Sequence, residues 1–297
     1  MASLRTHPAP GRTEPSAPGP GEADAAFARP RPRPLRWVAA GAAAVLVAMA
    51  LHALVTNDVF RWEVVAKYFG ADAVVSGLVT TLWLTGVAFL GGFALGTVLA
   101  VMRLSGNPVL AALSWGYTWL FRSVPMLVQL LFWYNISLLY PRLSIGIPFG
   151  PAFTDFATEQ LISGLTAAVI GLVLHEAGQF AEIVRAGILS VSRDQTEAAE
   201  ALGLRGVRTF LRIVLPQAMP AILPPTGSQV IALLKGTSIV SVIAVQDLLY
   251  ATQLIYNRNY LVIPLLLVAT LWYLVLTTLL SAAQYVVERR YATRRRG

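Results

Sequence analysis

Charged residues are scarce in this chain of 297 residues, at 13% of the total, and cysteine is absent. Soluble domains carry roughly 25% charged residues, whereas 56% of this chain is hydrophobic, so the composition predicts an integral membrane protein. Without cysteine, disulfides, thiolate metal sites and cysteine catalysis are excluded. The formal net charge of +8 does not indicate a nucleic-acid partner, because the arginines cluster beside apolar runs, as expected at the cytoplasmic ends of spans.

Nucleotide-binding and catalytic motifs are missing as well. No G-x-x-x-x-G-K-[ST] loop occurs, so the chain cannot cradle nucleotide phosphates with that loop. No Ser/His/Asp set or metal-spaced carboxylate set stands out, and a lone His175 in the fourth predicted span does not indicate a metal site. We therefore expect no metal and no cofactor in this chain.

Apolar runs predict six membrane spans. They cover residues 38–55, 75–101, 126–140, 161–189, 230–249 and 261–286; about 20 helical residues cross roughly 30 Å of hydrocarbon. The apolar stretch 108–121 is interpreted as the lead-in to the third span. The alternative for the first run is a cleaved signal peptide, which its length and extended basic lead disfavour.

The segment before the first run and the arginines define the expected topology. Residues 1–34 are rich in Pro, Ala, Gly and Arg, a composition that predicts a disordered cytoplasmic tail, followed by an additional N-terminal helix at 35–56. Arginines flank the first, second and fourth spans on one side, which should be cytoplasmic: Arg29, Arg31, Arg33, Arg36, Arg103, Arg193, Arg205, Arg208 and Arg212. The loops 56–72 and 141–160 and the region around Asn257 should face outward.

One polar segment, residues 194–216, interrupts the apolar pattern. Its charges would each cost about 2.5–3.5 kcal/mol at the bilayer centre, so it should lie in the cytoplasm. Asp194 and Glu197 resemble a capping box, and Gly203 would permit a left-handed turn between two short helices. The second helix should have two faces: Arg205, Arg208 and Arg212 on one, and Val207, Phe210, Leu211 and Val214 on the other. Pro216, Pro220, Pro224 and Pro225 should then break the chain. From the residues alone, an amphipathic pair lying on lipid headgroups is an equal alternative.

The residues of this segment form a recognisable pattern. E-A-A at 197–199, G at 203, I at 213 and L-P at 215–216 resemble the EAA signature of the membrane subunits of bacterial ABC importers. The stretches 80–105, 121–134, 181–203 and 233–248 are similar to the polar amino-acid uptake branch of that family. The resemblance covers about residues 75–290.

This resemblance implies an all-α type I importer permease fold in the cytoplasmic membrane, with residues 75–290 as the transmembrane domain. It implies that the segment 194–216 is a coupling helix seated in a cleft of a separate ATPase, which binds ATP and magnesium. The implied coupling residues are Glu197, Ala198, Ala199, Gly203, Ile213, Leu215 and Pro216. The other implied partners are an extracytoplasmic solute-binding protein, a second permease subunit of identical or homologous sequence, and a polar or charged amino acid as solute.

Polar residues inside the predicted spans are candidates for the solute pathway, because ionisable groups in spans usually face a cavity or a partner. The candidates are Arg122, Gln129, His175, Glu176, Gln179, Lys235, Thr237 and Ser238. Arg122 and Gln129, seven residues apart, should share one helix face. Lys235 either contacts a carboxylate-bearing solute or satisfies backbone carbonyls at a helix break near the cytoplasmic entrance.

Two further pairs have simpler explanations. Glu182 and Arg185, three residues apart, are expected to pair with each other, and Gly92 with Gly96 indicates close helix packing. Two other classes of protein remain as alternatives: a proton-driven carrier that uses Glu176 and Glu182 as relays, and a membrane-embedded enzyme that uses His175 and Glu176.

Overall fold

The computed structural model describes residues 34–147, 152–204 and 206–293. Residues 1–33 of the predicted tail and Arg205 of the polar segment lie outside this part. The long and medium helices are α1 (Pro34–Thr56), α2 (Trp62–Phe69), α3 (Asp72–Leu104), α4 (Pro108–Ser123) and α5 (Met126–Tyr134). A short α6 (Ile136–Leu139), strands β1 (Arg142–Gly146) and β2 (Ala152–Ala157), and a short α7 (Thr158–Leu161) follow.

The second half of the chain is helical in every named element. It contains α8 (Gly164–Leu189), α9 (Arg193–Ala201), α10 (Val207–Thr209), a π-helical turn (Phe210–Val214) and α11 (Leu215–Gly236). A 3-10 helix (Thr237–Ile243), α12 (Leu248–Asn259) and α13 (Val262–Thr293) complete it. We call the end of the helices that carries α9 the inner end, and the end that carries β1, β2 and α12 the outer end.

Five helical stretches of the described residues are long and apolar enough to cross a membrane. They are Arg36–Thr56, Asp72–Leu104, Gly164–Leu189, Val207–Ile243 and Val262–Tyr291. The predicted third span is not one of them, because residues 126–140 are divided between α5 and α6 and the predicted lead-in forms the separate helix α4. The paired strands β1 and β2, antiparallel with Leu143 opposite Phe156, are absent from the predicted all-α architecture.

The predicted fifth span, residues 230–249, has the wrong bounds. Helical structure begins at Val207 and continues to Ile243, and a separate helix starts at Leu248. The expected break at the prolines is also wrong, since Pro220, Pro224 and Pro225 lie inside α11. Prolines are tolerated in membrane helices where neighbouring helices compensate for the lost hydrogen bonds, and α11 packs against α8 and α13 along this stretch.

Close packing of α3 on α8 forms the centre of the bundle. A Cβ atom on Gly92 would lie 2.7 Å from the Cβ of Glu176, and one on Gly96 would lie 2.8 Å from the carbonyl oxygen of Ala177. Because no larger residue fits at either position, the predicted role of the two glycines in helix packing is confirmed. Buried leucines on neighbouring helices, among them Leu84, Leu130 and Leu172, extend this core.

The outer end is organised by the chain break between the 3-10 helix and α12. Ala244 adopts a left-handed conformation with φ of 59°, and the fully buried Asp247 caps α12 by accepting a hydrogen bond from the N–H of Tyr250 at 2.9 Å. The hydroxyl of Tyr273 on α13 lies 3.4 Å from the other carboxylate oxygen of Asp247. A single loop thus joins α3, α11 and α13 at this end.

Candidate transport pathway and coupling segment

A cavity of about 730 Å³ lies between α4, α8 and α11, towards the inner end. Its polar lining comes from Arg122 on α4, Gln179 and Glu182 on α8, and Ser228 and Gln229 on α11. Arg122 and Gln179 were predicted as pathway residues, and the structure brings them together here. Ser228 and Gln229 were missed, because a serine and a glutamine after four prolines carry no distinctive sequence signal.

Glu176 lies directly behind the wall of this cavity. Its side chain is 3% exposed and accepts a hydrogen bond from the Nε2 of Gln229 at 3.0 Å. Among the described residues no ion pair involves Glu176, since the recorded pair joins Arg185 to Glu182. A buried carboxylate without a cation is costly, and Gln229 connects it to the cavity.

Glu182 and Arg185 pair as expected. The Arg185 Nη2 and Nε donate to the same oxygen of Glu182, at 2.7 and 2.9 Å. Glu182 nevertheless lines the cavity, so its carboxylate is both paired and accessible. The cavity therefore presents a cation at Arg122 and an anion at Glu182.

Gln129 and His175 have a different environment from the one predicted. The helix breaks at Val124 and Pro125, so the argument that seven residues place Arg122 and Gln129 on one face is wrong. Instead, the Nε2 of Gln129 folds back and donates to the carbonyl oxygens of Phe121 and Val124, each at 2.8 Å, which the break leaves without helical partners. It also lies 3.3 Å from Nδ1 of His175. Both side chains thus stabilise the break.

The polar patch around Lys235 lies at the transition from α11 to the 3-10 helix. The hydroxyl of Thr237 donates to the carbonyl of Leu234 at 2.7 Å, and that of Ser238 donates to the carbonyl of Lys235 at 2.8 Å. This helix change lies towards the outer end, so its expected position near the cytoplasmic entrance is wrong. Lys235 itself is exposed on the surface of α11, away from the residues that line the cavity.

The polar segment at the inner end forms a helix, a turn and a π-helical turn. Ser192, rather than Asp194, is the N-cap of α9, because its side chain accepts the N–H of Asp194. After α9, Gly203 has φ of +81°, and the N–H of Leu204 donates to the carbonyl of Ala199 at 2.9 Å. The predicted left-handed turn at Gly203 is therefore present, and Gly206, with φ of 57° and ψ of -124°, adds a second positive-φ glycine, outside the left-handed helical region, that was missed.

The exposed surface of this segment differs from the predicted one. Ala199 is only 4% exposed, whereas Glu197 and Ala198 face outward and Leu202 is 83% exposed. The apolar side predicted for the second helix is not buried within the described chain: Val207 and Leu211 are exposed like Arg208 and Arg212. The π-helical turn changes the angular spacing between residues, so the wheel of an ideal α-helix does not apply.

The later part of the implied signature connects the segment to α11. Ile213 and Leu215 are partly buried, and Pro216 is exposed in the first turn of α11, directly after the π-helical turn. The Nε2 of Gln217 donates to the Oε1 of Gln195 at 3.2 Å. This hydrogen bond joins α9 to the start of α11.

A broken bundle of membrane helices around a polar cavity, with an exposed helical segment at one end, defines a membrane transport subunit. The chain belongs to the family described as "Binding-protein-dependent transport system inner membrane component", whose model matches residues 92–293. It is thus a multi-pass membrane permease subunit of such a system, which replaces the enzyme alternative.

Relatives and solved structures agree with this assignment. The chain is 39% identical over 258 residues to the arginine transport system permease protein ArgU of Corynebacterium glutamicum, covering 86% of this chain and 80% of ArgU. It is 33% identical over 219 residues to the glutamate/aspartate import permease protein GltK of Escherichia coli O157:H7, covering 74% and 93%. A crystal structure of an amino acid ABC transporter with histidines matches with a TM-score of 0.62 and 32% identity, covering 73% of this chain and 94% of that chain.

Proposed function

We propose that this chain is the permease subunit of an ATP-driven importer that carries a cationic amino acid, of the arginine type, across the cytoplasmic membrane. The observation that carries the proposal is the cavity lined by both Arg122 and Glu182. A free amino acid bears an α-carboxylate and an α-ammonium group, and these two side chains offer a partner of opposite charge for each.

A second acidic side chain near the cavity supports a cationic side chain on the solute. Glu176 lies behind Gln229, and a cation that comes close to a buried carboxyl group favours the charged form of that group. Relatives named for arginine and for glutamate/aspartate share this fold, so the fold alone does not select the charge of the solute. The 39% identity to the arginine permease favours the cationic class.

Energy and solute are supplied by partners in this proposal. Because the chain has no phosphate-binding loop, ATP and magnesium are bound by a separate ATPase that contacts the segment 194–216. An exported binding protein delivers the solute at the outer end. ATP dependence separates this importer from the proton-driven carrier that would use Glu176 and Glu182.

A second permease subunit is proposed to cover one face of α11. Ala232 and Lys235 are exposed three residues apart, which places them on one face of α11 beyond the residues that line the cavity. A lysine that faces lipid within a span is costly, by about 2.5–3.5 kcal/mol at the bilayer centre, and small residues such as Ala232 permit close approach of helices. A protein partner around a shared pathway removes this cost.

Uptake measurements test the solute and the energy source. Cells lacking this chain should lose uptake of labelled arginine and regain it with the wild-type gene, while glutamate uptake is unchanged. Uptake into right-side-out vesicles should require ATP inside the vesicles, and collapsing the proton gradient with an ionophore should leave this uptake intact. Loss of glutamate uptake alone would reject the cationic class, and sensitivity to the ionophore with ATP present would reject the importer.

Cross-linking tests the second subunit, since the chain contains no cysteine. Ala232→Cys should form a disulfide-linked dimer in membranes if the mate is identical, and a cross-link to a different permease if it is homologous. Leu274→Cys, which is also exposed but lies on α13, is the matched control. Equal cross-linking of both variants would contradict the proposed face.

A further inference from the structure

The side chain of Gln284 on α13 connects the last helix to the cavity wall. Its Nε2 lies 3.2 Å from the carbonyl oxygen of Pro224, 3.2 Å from the Oγ of Ser228 and 2.7 Å from the Oε1 of Glu288. The contact depends on Gly227, because a Cβ atom there would lie 2.7 Å from Cδ of Gln284. Gly227 of α11 therefore leaves the space that the Gln284 amide of α13 occupies.

These partners determine the direction of the hydrogen bond to Ser228. A backbone carbonyl oxygen can only accept a hydrogen bond, so the amide atom nearest Pro224 is the nitrogen, whose two protons are shared among the carbonyl oxygen of Pro224, the Oε1 of Glu288 and the Oγ of Ser228. Because this nitrogen cannot accept, Ser228 is the acceptor in its hydrogen bond with Gln284. A serine hydroxyl carries one proton in addition to its acceptor lone pairs, and that proton remains available to another acceptor.

The available proton lies at the wall of the cavity. Ser228 is exposed and lines the same cavity as Arg122. An acceptor-only, negatively charged group fits a site that offers one hydroxyl donor and one guanidinium. On an amino acid this group is the α-carboxylate.

We propose that Ser228 donates a hydrogen bond to the α-carboxylate of the transported amino acid, and that Gln284 is the positioning residue that directs the Ser228 hydroxyl. The inference rests on the proposed function for the existence of an amino-acid solute, but it does not depend on the side chain of that solute. Ser228 and Gln284 lie outside the segment 194–216 and are neither of the charged residues Arg122 and Glu182. The effect of substituting them on solute binding can therefore be measured separately.

Equilibrium binding to the full permease with its ATPase, reconstituted in lipid nanodiscs without the binding protein, tests the assignment. The probes are labelled arginine and, as competitor, agmatine, which lacks the carboxylate. Ser228→Ala should weaken arginine binding about tenfold, the effect of losing one hydrogen bond to a charged group, and leave agmatine binding unchanged. Gln284→Leu should shift the arginine to agmatine ratio in the same direction.

Three further variants separate orientation from a general structural effect. Ser228→Thr keeps the hydroxyl and should restore the preference for arginine. Combining Ser228→Ala with Gln284→Leu should be no worse than Ser228→Ala alone, because both act on one hydrogen bond. Ser281→Ala on α13, whose hydroxyl bonds only to Thr277 in its own helix, should bind like the wild type.

The outcomes distinguish the proposed roles of Ser228 and Gln284 from the proposed class of solute. Equal weakening of arginine and agmatine by Ser228→Ala, or no weakening of either, overturns the role of Ser228. A normal ratio in Gln284→Leu overturns the positioning role. If the wild-type complex binds glutamate instead of arginine, the cationic class is wrong. The role of Ser228 is then tested by the ratio of glutamate binding to binding of its decarboxylated analogue, γ-aminobutyrate.

Discussion

The hydroxyl of Thr81 on α3 accepts a hydrogen bond from the backbone N–H of Leu248 at 3.0 Å, although 167 residues separate them in the chain. Thr81 is fully buried and also donates to the carbonyl of Gly77. The first turn of α12 therefore depends on α3 for one of the N–H groups that a helix start leaves unsatisfied.

Replacing this hydroxyl should destabilise the outer end. Thr81→Val keeps the shape but leaves the N–H of Leu248 buried without an acceptor, which costs about 1–3 kcal/mol. We expect a lower apparent melting temperature for the detergent-solubilised protein, measured by tryptophan fluorescence. Thr81→Ser retains the acceptor and should melt close to the wild type; equal loss in both would show that the methyl group matters more.

Two glycines of α3 should respond differently to alanine. At Gly96 the added Cβ would meet the carbonyl of Ala177 and the Cβ of Phe180, both at 2.8 Å, whereas at Gly86 nothing lies within 4 Å. Overpacking typically costs about 1–3 kcal/mol, so Gly96→Ala should lower the melting temperature and Gly86→Ala should not. A similar decrease for both would mean that α3 and α8 are not in close contact there.

Substitutions at Gly203 should act through the backbone conformation of the turn rather than through crowding of the added side chain. Its φ of +81° is unfavourable for residues with a Cβ, while a Cβ there would have no neighbour within 4 Å. Gly203→Val should cost about 1–2 kcal/mol in the turn and abolish uptake and ATPase retention in pull-downs, at normal membrane levels. Gly203→Asn, which tolerates this conformation, should retain most activity.

Glu197 offers a second test of the same segment. It is exposed on α9, so Glu197→Lys should not affect insertion but should remove a contact with the ATPase and abolish uptake. An amphipathic segment lying on anionic headgroups would instead bind more tightly after this change. Wild-type uptake by Glu197→Lys would therefore favour the lipid-bound alternative.

Single cysteines should report the orientation of the chain. Tyr260 is 86% exposed at the outer end and Leu202 is 83% exposed at the inner end. In intact cells a membrane-impermeant maleimide should label Tyr260→Cys, and it should label Leu202→Cys only after permeabilisation. The opposite pattern would reverse the topology deduced from the arginines.

Hydropathy and the E-A-A pattern were sufficient to predict a multi-pass permease, because lipid exposure demands long apolar segments whatever their tertiary partners. They were insufficient where helices stop inside the membrane. The break at Pro125 is sustained by Gln129 from the next helix, and the break before Leu248 by Thr81 from a distant one. Continuity across Pro224 depends on packing against α8 and α13, so a local rule for proline misplaced the start of this span.

Prediction of the candidate site was limited for the same reason. Arg122 and Gln179 could be selected because charged and amide groups are rare in spans. Ser228 and Gln284 could not, since a hydroxyl in a membrane helix usually bonds to its own backbone, as Thr277 and Ser281 do. Only the approach of α13 at Gly227 distinguishes Ser228 from them.

The hydrogen bond between Gln229 and Glu176 also has a consequence for biosynthesis. Gln229 follows Glu176 by 53 residues, and at about 5–20 residues per second it leaves the ribosome about 3–10 s later. During that interval the carboxylate in α8 has no amide partner, and exposure to lipid would be unfavourable. We therefore expect α8 to enter the lipid together with α11 rather than before it.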